Sequence, residues 1–286
     1  MIGKQFKFGP SQRLKNAYAS GIRRIISRVL KPKLPEQTLE EWLAELGERS
    51  QAADVQEAST ELARRMFTWA NVGNQRTWRE AAAKSQHSRA LYKYLQRELA
   101  GQTGRRVNQL IAENARYISS LPLTAAQTLV DEVTRAQQAG ARPATMDKML
   151  RQRFPKLLRS RVHLISRTET SKASAALTQA RSEELNLPCY FWRTSKDQRV
   201  RDSHRLMDGV IIFWSDPPLP EALDGIKSGL GHYHAGEAPN DRCYGEPVLS
   251  FDDVKFPVKV YSGGTIKSMG KQEFLKRFSA ASVQSQ

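Results

Sequence analysis

Through the first half of the chain, apolar residues recur at helical spacing. Leu14, Tyr18, Ile22, Ile25, Ile26 and Val29 fall on one stripe behind Ser11, which predicts an amphipathic helix with Ser11 as its N-cap. Lys31-Pro32-Lys33-Leu34-Pro35 ends it, because each proline lacks an amide donor and restrains the residue before it. Thr38 and Glu41 form a capping-box pattern ahead of Leu39, Trp42, Leu43 and Leu46. Further stripes follow at Leu62, Met66 and Trp69, at Trp78, Ala82, Leu91, Leu95 and Leu99, and at Val107, Leu110, Ile111 and Ile118. Leu123 to Ala139 adds another helix, closed by Gly140 as C-cap. Trp42, Trp69 and Trp78 are expected as core anchors, since a large ring at helical spacing gains most from burial. A short helix capped by Thr145 should stop near Phe154-Pro155, and a longer one should run from Leu158 to Leu185.

After Asn186 the pattern changes. Residues 188–192 and 210–214 read as strands, and Pro247-Val248-Leu249 reads as part of a third. Residues 256–261 suggest a further strand, placed at an edge because of Pro257. Asp208-Gly209 is a turn signal, and the stretch from Asp216 to Asp241 reads as irregular. Residues 265–286 read as a short basic helix and a Ser/Gln/Ala tail. The expected fold is a mainly α N-terminal region of helical hairpins, then a small α+β domain with a short, mostly antiparallel sheet. The expected domains are a basic arm at 1–33, a helical domain at 34–155, the α+β domain at 156–264, and a basic helix with tail at 265–286.

Charge sharpens this picture. The 286 residues carry 45 Lys and Arg against 29 Asp and Glu, a formal charge of +16. Such a balance favours polyanionic partners without implying sequence specificity. Residues 1–33 hold basic side chains and no acid, so Lys4, Lys7, Arg13, Lys15, Arg23, Arg24, Arg28, Lys31 and Lys33 are the candidate nucleic-acid contacts. Packing of this helix on its own protein is the alternative. Two cysteines suit a reduced, intracellular setting rather than a disulfide framework. The sequence contains neither a run long and apolar enough to span a bilayer nor the pattern of a secretory signal. A phosphate-cradling Gly-Lys-Thr loop and a Gly-x-Ser-x-Gly elbow are also absent, which excludes the enzymes built on them.

Candidate chemistry gathers between Trp192 and Pro247. There Asp197-Gln-Arg199-Val-Arg201-Asp-Ser203-His204 leads to Asp208-Gly209, and Pro239-Asn240-Asp241-Arg242-Cys243-Tyr244-Gly245 follows after a loop. Upstream, Ser166-Arg167-Thr168-Glu169-Thr170 lies in a predicted helix. Arg167 and Glu169 are two residues apart and cannot pair with each other, so each needs a partner elsewhere. A zinc held by His204 and Cys243 is conceivable, but no Cys-x-x-Cys or His-x-x-x-His knuckle accompanies them. His232 and His234 would point to opposite sides of an extended loop. A nuclease using His204, Asn240 and Arg242 lacks a compact His-plus-carboxylate motif. The reading adopted is a structural polar knot of Arg167, Glu169, Asp197, Arg199, Arg201, His204, Asp208 and Arg242, with Ser203 capping a short helix and no cofactor.

These segments together resemble the phage head-morphogenesis family typified by the minor head protein of phage Mu. That family has an aromatic strand, an Asp-x-Arg-x-x-His block ending in Asp-Gly, and a Pro-rich approach to Cys-Arg-Cys, with Arg-Thr-Glu-Thr on a helix upstream. The resemblance covers roughly residues 140 to 250. It departs from the pattern at Gly245, read as the position of the second Cys. It implies a non-enzymatic minor head protein in the virion, at the head interior or portal vertex, made in the host cytoplasm. The implied partners are the portal protein, the major capsid protein and packaged double-stranded DNA, with no small-molecule substrate. A metal-dependent nuclease and a membrane-active ejection protein are the alternatives.

Overall fold

The computed structural model describes residues 6–30, 32–34, 36–83, 102–140, 143–251 and 254–283. Lys4, Lys31 and the expected stripe at Leu91, Leu95 and Leu99 lie outside the described residues. The described elements are α1 (Gln12–Val29), α2 (Leu39–Gln51), α3 (Ala53–Ala82), α4 (Gln102–Gln138), α5 (Pro143–Glu184), β1 (Cys189–Arg193), α6 (Asp202–Met207), β2 (Ile211–Phe213), α7 (Pro220–Leu223), β3 (Tyr244–Pro247), β4 (Val258–Ser262), β5 (Thr265–Met269) and α8 (Lys271–Val283). The expected class therefore holds: helices first, then a small sheet in which antiparallel pairs dominate.

The chain forms two compact units, one of residues 1–11, 68–107 and 170–286, the other of residues 12–67 and 108–169. The division falls within α3, α4 and α5.

In the second unit α1 is a packed helix. Leu14, Tyr18, Ile22, Ile25, Ile26 and Val29 are all buried, and the Tyr18 hydroxyl donates to Asn114 Oδ1 at 3.0 Å. Its apolar face thus packs on its own protein, the alternative that the sequence left open. The capping box of α2 is present: Glu41 N–H donates to Thr38 Oγ1 at 3.1 Å, and Thr38 N–H to Glu41 Oε2 at 2.8 Å. Trp42 is buried edge-on against Phe154, with ring centroids 5.1 Å apart.

The stretches read as separate helices before and after residue 122 form one helix, and the stop expected near Phe154-Pro155 does not occur. Pro122 lies inside α4 and Pro155 inside α5. An interior proline costs roughly 3 kcal/mol. The apolar groups flanking each proline offset that cost: Leu121, Ala125, Ala126 and Leu129 in α4, and Phe154, Leu158 and Val162 in α5, are all buried. Helix α5 starts at Pro143, so Thr145 is not its cap. Gly140 does end its helix as expected, with φ +83 and its N–H bonded to Gln137 O at 2.9 Å.

In the first unit the strand order is β3-β1-β2-β4-β5. All pairs are antiparallel except β2 with β4. Strand alternation divides the core. Tyr190, Trp192, Ile212 and Tyr261 face one side with Met207, Tyr233 and Cys243, whereas Cys189, Ile211, Phe213, Val258 and Val260 face the other with Met269 and Phe274. The sheet is thus buried on both faces.

The third expected strand occurs earlier than read, at Tyr244–Pro247, and β4 is interior rather than an edge. Pro257 precedes β4, so its missing N–H costs the ladder nothing. The edge on that side is β5, where the sequence reading placed a helix. Gly263 and Gly264, with φ +56 and +83, form the two-residue hairpin turn that joins it to β4. Trp78 is fully buried, edge-on to Phe8 at 5.3 Å, but Trp69 is 51% exposed and is not a core anchor. Arg181, fully buried in α5, donates to Asn74 Oδ1 and, at 2.6 Å, to Asn71 Oδ1.

Candidate functional site: a buried polar knot

The first unit brings α6, α7 and the loop before β3 together on one face of the sheet. Asp202–Met207 folds as a helix whose N-cap is Arg201, so Ser203 is not the cap but a buried residue inside it. This turn carries His204 under Trp192, ring centroids 5.5 Å apart and nearly perpendicular. Asp208-Gly209 then turns the chain into β2. Gly209 adopts φ +80, and its N–H donates to Trp192 O at 2.8 Å.

His204 is only 2% exposed and engages residues on both sides of its ring. Nδ1 lies 3.3 Å from Cys243 Sγ and 3.3 Å from Asp241 Oδ1. Nε2 lies 2.9 Å from the Tyr233 hydroxyl, which donates to Glu221 Oε1 at 2.7 Å. A hydroxyl that donates its proton to Glu221 can only accept from the imidazole, so Nε2 carries a proton. Asp241 is held by its own loop: Oδ1 accepts Cys243 N–H at 2.9 Å and Oδ2 accepts Gly236 N–H at 2.8 Å. Burial alone would raise the Asp241 carboxyl. The His204 ring and the Cys243 amide outweigh burial and leave it below the usual aspartate value. Burial, aided by Asp241, pushes the Cys243 thiol well above its ordinary range. The Tyr233 phenol is raised by burial and by its bond to Glu221.

A second, outer set of bonds surrounds this core. Arg242 points the other way from its neighbours and grips Asp197 with both terminal nitrogens, Nη2 donating to Oδ1 at 2.7 Å. Burial acts to raise the Asp197 carboxyl, but the Arg199 amide and Arg242 together outweigh it and hold it below its usual value. Asp208 Oδ1 accepts the Thr194 amide at 2.9 Å and hydroxyl at 3.1 Å. Arg201 donates to Pro239 O at 2.7 Å. Arg199 contributes its backbone N–H, which bonds Asp197 Oδ1 at 2.9 Å. Five of the eight expected knot residues (Asp197, Arg201, His204, Asp208 and Arg242) thus contribute side-chain bonds here. Arg167 and Glu169 belong to the second unit. There Glu169 is 4% exposed and adds to burial in raising the Tyr18 phenol.

Sequence reading missed Tyr233 and Glu221, which no local motif ties to His204, and the pair Arg193–Glu246, 2.5 Å apart across β1 and β3. It also missed the role of Asp241. The Cys-Arg-Cys spacing is matched by Asp241-Arg242-Cys243, whose first and third side chains both meet His204. Gly245 instead lies under the Tyr190 ring, where an added Cβ would come within 2.8 Å of Cδ2. That ring is pinned through its hydroxyl to His234 Nδ1 at 3.1 Å and to Ala235 N–H at 3.3 Å. Gly245→Ala should therefore destabilise the fold by about 1–3 kcal/mol, seen as a lower urea midpoint; an unchanged midpoint would show that Tyr190 can yield. His232 is exposed and bonds Pro217 O at 2.8 Å, apart from His234. Cys189 lies on the opposite face of the sheet from Cys243 and both thiols are free, so they form neither a disulfide nor a common ligand set.

Residues 127–244 match the family described as phage Mu protein F like protein. This stretch carries a phage Mu F-like domain, of the phage head-morphogenesis type. The match takes in Arg167, Glu169 and every knot residue from Asp197 to Cys243, and it stops before β4. An uncharacterized protein of Haemophilus influenzae (strain ATCC 51907 / DSM 11121 / KW20 / Rd) is 33% identical over 144 residues, which is 50% of this chain and 30% of that protein. The chain thus spans less than a third of that relative's length. No solved structure is significantly similar to it. Among the described residues, no helix is long and apolar enough to cross a membrane.

Proposed function

We propose that this protein is a minor head protein of a tailed phage. It binds the portal or the inner capsid surface through its helices and touches packaged double-stranded DNA without sequence preference. The observation that carries this reading is the phage Mu F-like domain over residues 127–244, which links the chain to phage heads.

The buried knot supports a structural rather than a catalytic role. A general base must reach a substrate proton. His204 is enclosed at 2% exposure with both ring nitrogens facing protein groups. Electrostatics support the DNA contact. On α1, Arg13, Arg23, Arg24 and Arg28 are exposed while the apolar stripe is buried, so a cationic surface faces solvent on a packed helix. Lys7 is also exposed, and Lys15 and Lys33 are partly so.

Co-expressed with the portal and major capsid proteins of its phage, the tagged full chain should retain the portal protein through washing. Failure of the folded chain to retain either protein would remove the assembly role. Deleting residues 1–33 is not a usable test, because it strips seven buried α1 residues from the second unit.

A further inference from the structure

We infer that His204, Asp241 and Cys243 form a zinc-type metal site at the centre of the knot, with Tyr233 and Glu221 orienting the histidine from behind. The three ligating atoms all lie within 4.8 Å of one another, and all three residues are buried. The two edges that meet at the imidazole, Nδ1 to Sγ and Nδ1 to Oδ1, are both 3.3 Å. Zinc bonds of about 2.0–2.3 Å at a tetrahedral angle place neighbouring ligand atoms roughly 3.3–3.7 Å apart. Two of the three edges are therefore already at the spacing a metal would impose.

Proton accounting points the same way. Nε2–H is committed to Tyr233, so Nδ1 of a neutral ring presents one lone pair towards both Cys243 and Asp241. One lone pair cannot satisfy a carboxylate, which is itself an acceptor. A divalent cation serves all three ligands at once, with the Cys243 proton released on binding. The chain His204–Tyr233–Glu221 then acts as the hydrogen-bonded support that metal-bound histidines commonly have on their far nitrogen. A thiolate beside an imidazole selects zinc-like ions over magnesium or calcium. Three protein ligands leave the fourth position to water. Arg242, between the two loop ligands, is turned outward to Asp197, so the Asp241-Arg242-Cys243 turn presents only its ligating side chains inward.

This inference does not depend on the head-protein reading, and its test is independent of portal or DNA binding. The untagged full chain, purified without chelator, should retain about one equivalent of zinc by elemental analysis. Exchange of that zinc for Co2+ should give a thiolate-to-cobalt charge-transfer band together with tetrahedral d–d bands. Cys189→Ser, which alters the thiol on the other face of the sheet, should leave both spectra intact, and Cys243→Ser should abolish the charge-transfer band. Wild-type protein that is folded by near-UV circular dichroism, yet holds no zinc and gives no cobalt band, overturns the proposal whatever the variants do. A cobalt band that survives Cys243→Ser and is lost in Cys189→Ser overturns it equally.

Discussion

His204→Ala should lower the stability of the first unit by about 3–5 kcal/mol, the cost expected when one partner of a buried charged network is removed. The imidazole lies between Asp241 on one side and the Tyr233–Glu221 pair on the other. Its removal takes the imidazole from beside the Asp241 carboxylate and takes from the buried Tyr233 hydroxyl the ring N–H that it accepts. Glu221 Oε2 is already buried without a hydrogen-bond partner, while Oε1 accepts from Tyr233 and lies 3.9 Å from Arg201 Nη1. Trp192 also loses the ring packed edge-on against it. Melting of the first unit should fall by roughly 6–20 °C, and thermal or urea unfolding would measure it. His232→Ala is the control: an exposed histidine with one bond to Pro217 O should change stability by less than about 0.5 kcal/mol. Full stability in His204→Ala would contradict a structural knot.

The second large effect concerns salt. If six or more of the basic side chains assigned to DNA contact meet phosphates, affinity for duplex DNA should fall on the order of a thousandfold or more between 50 and 200 mM salt. Random and phage-derived sequences should bind alike. The triple variant Arg23→Gln/Arg24→Gln/Arg28→Gln removes three exposed charges from α1 and leaves its buried stripe untouched. The slope of log K against log salt should become shallower by about 2.7, three phosphates at roughly 0.9 each. Circular dichroism should be unchanged. Salt-insensitive or sequence-selective binding would contradict the phosphate-contact account.

Local rules carried most of the fold into the sequence. Thr38 with Glu41, the α1 stripe, Gly140 and the aromatic run at Cys189–Trp192 all act where they were read, because capping, amphipathicity and strand alternation need only near neighbours. The misreadings have physical causes. Pro122 and Pro155 are strong local breakers, yet burial of Leu121, Leu129, Phe154 and Leu158 continues each helix through them. The β4–β5 hairpin was signalled by Gly263-Gly264 and overlooked beside the basic character of the residues after it. Trp69 shows that helical spacing alone does not decide which face is buried.

The candidate site was half legible. His204, Cys243, Asp197 and Arg242 stood out by residue type and clustering. Tyr233 and Glu221 did not, because 29 and 17 residues separate them from His204 and only folding of the loop between α6 and β3 joins them. Asp241 was hidden for another reason. A carboxylate in a position read as part of a cysteine pattern looks like a loop residue until its two oxygens are seen bonding Gly236 and Cys243 beside the imidazole.

The assignment to phage heads is most directly tested by the protein composition of purified particles. Mass spectrometry of heads separated from free protein by density gradient should find this chain in them, at a constant ratio to the portal protein. Heads of normal protein content that lack it, with the chain recovered only among free proteins, would contradict the account.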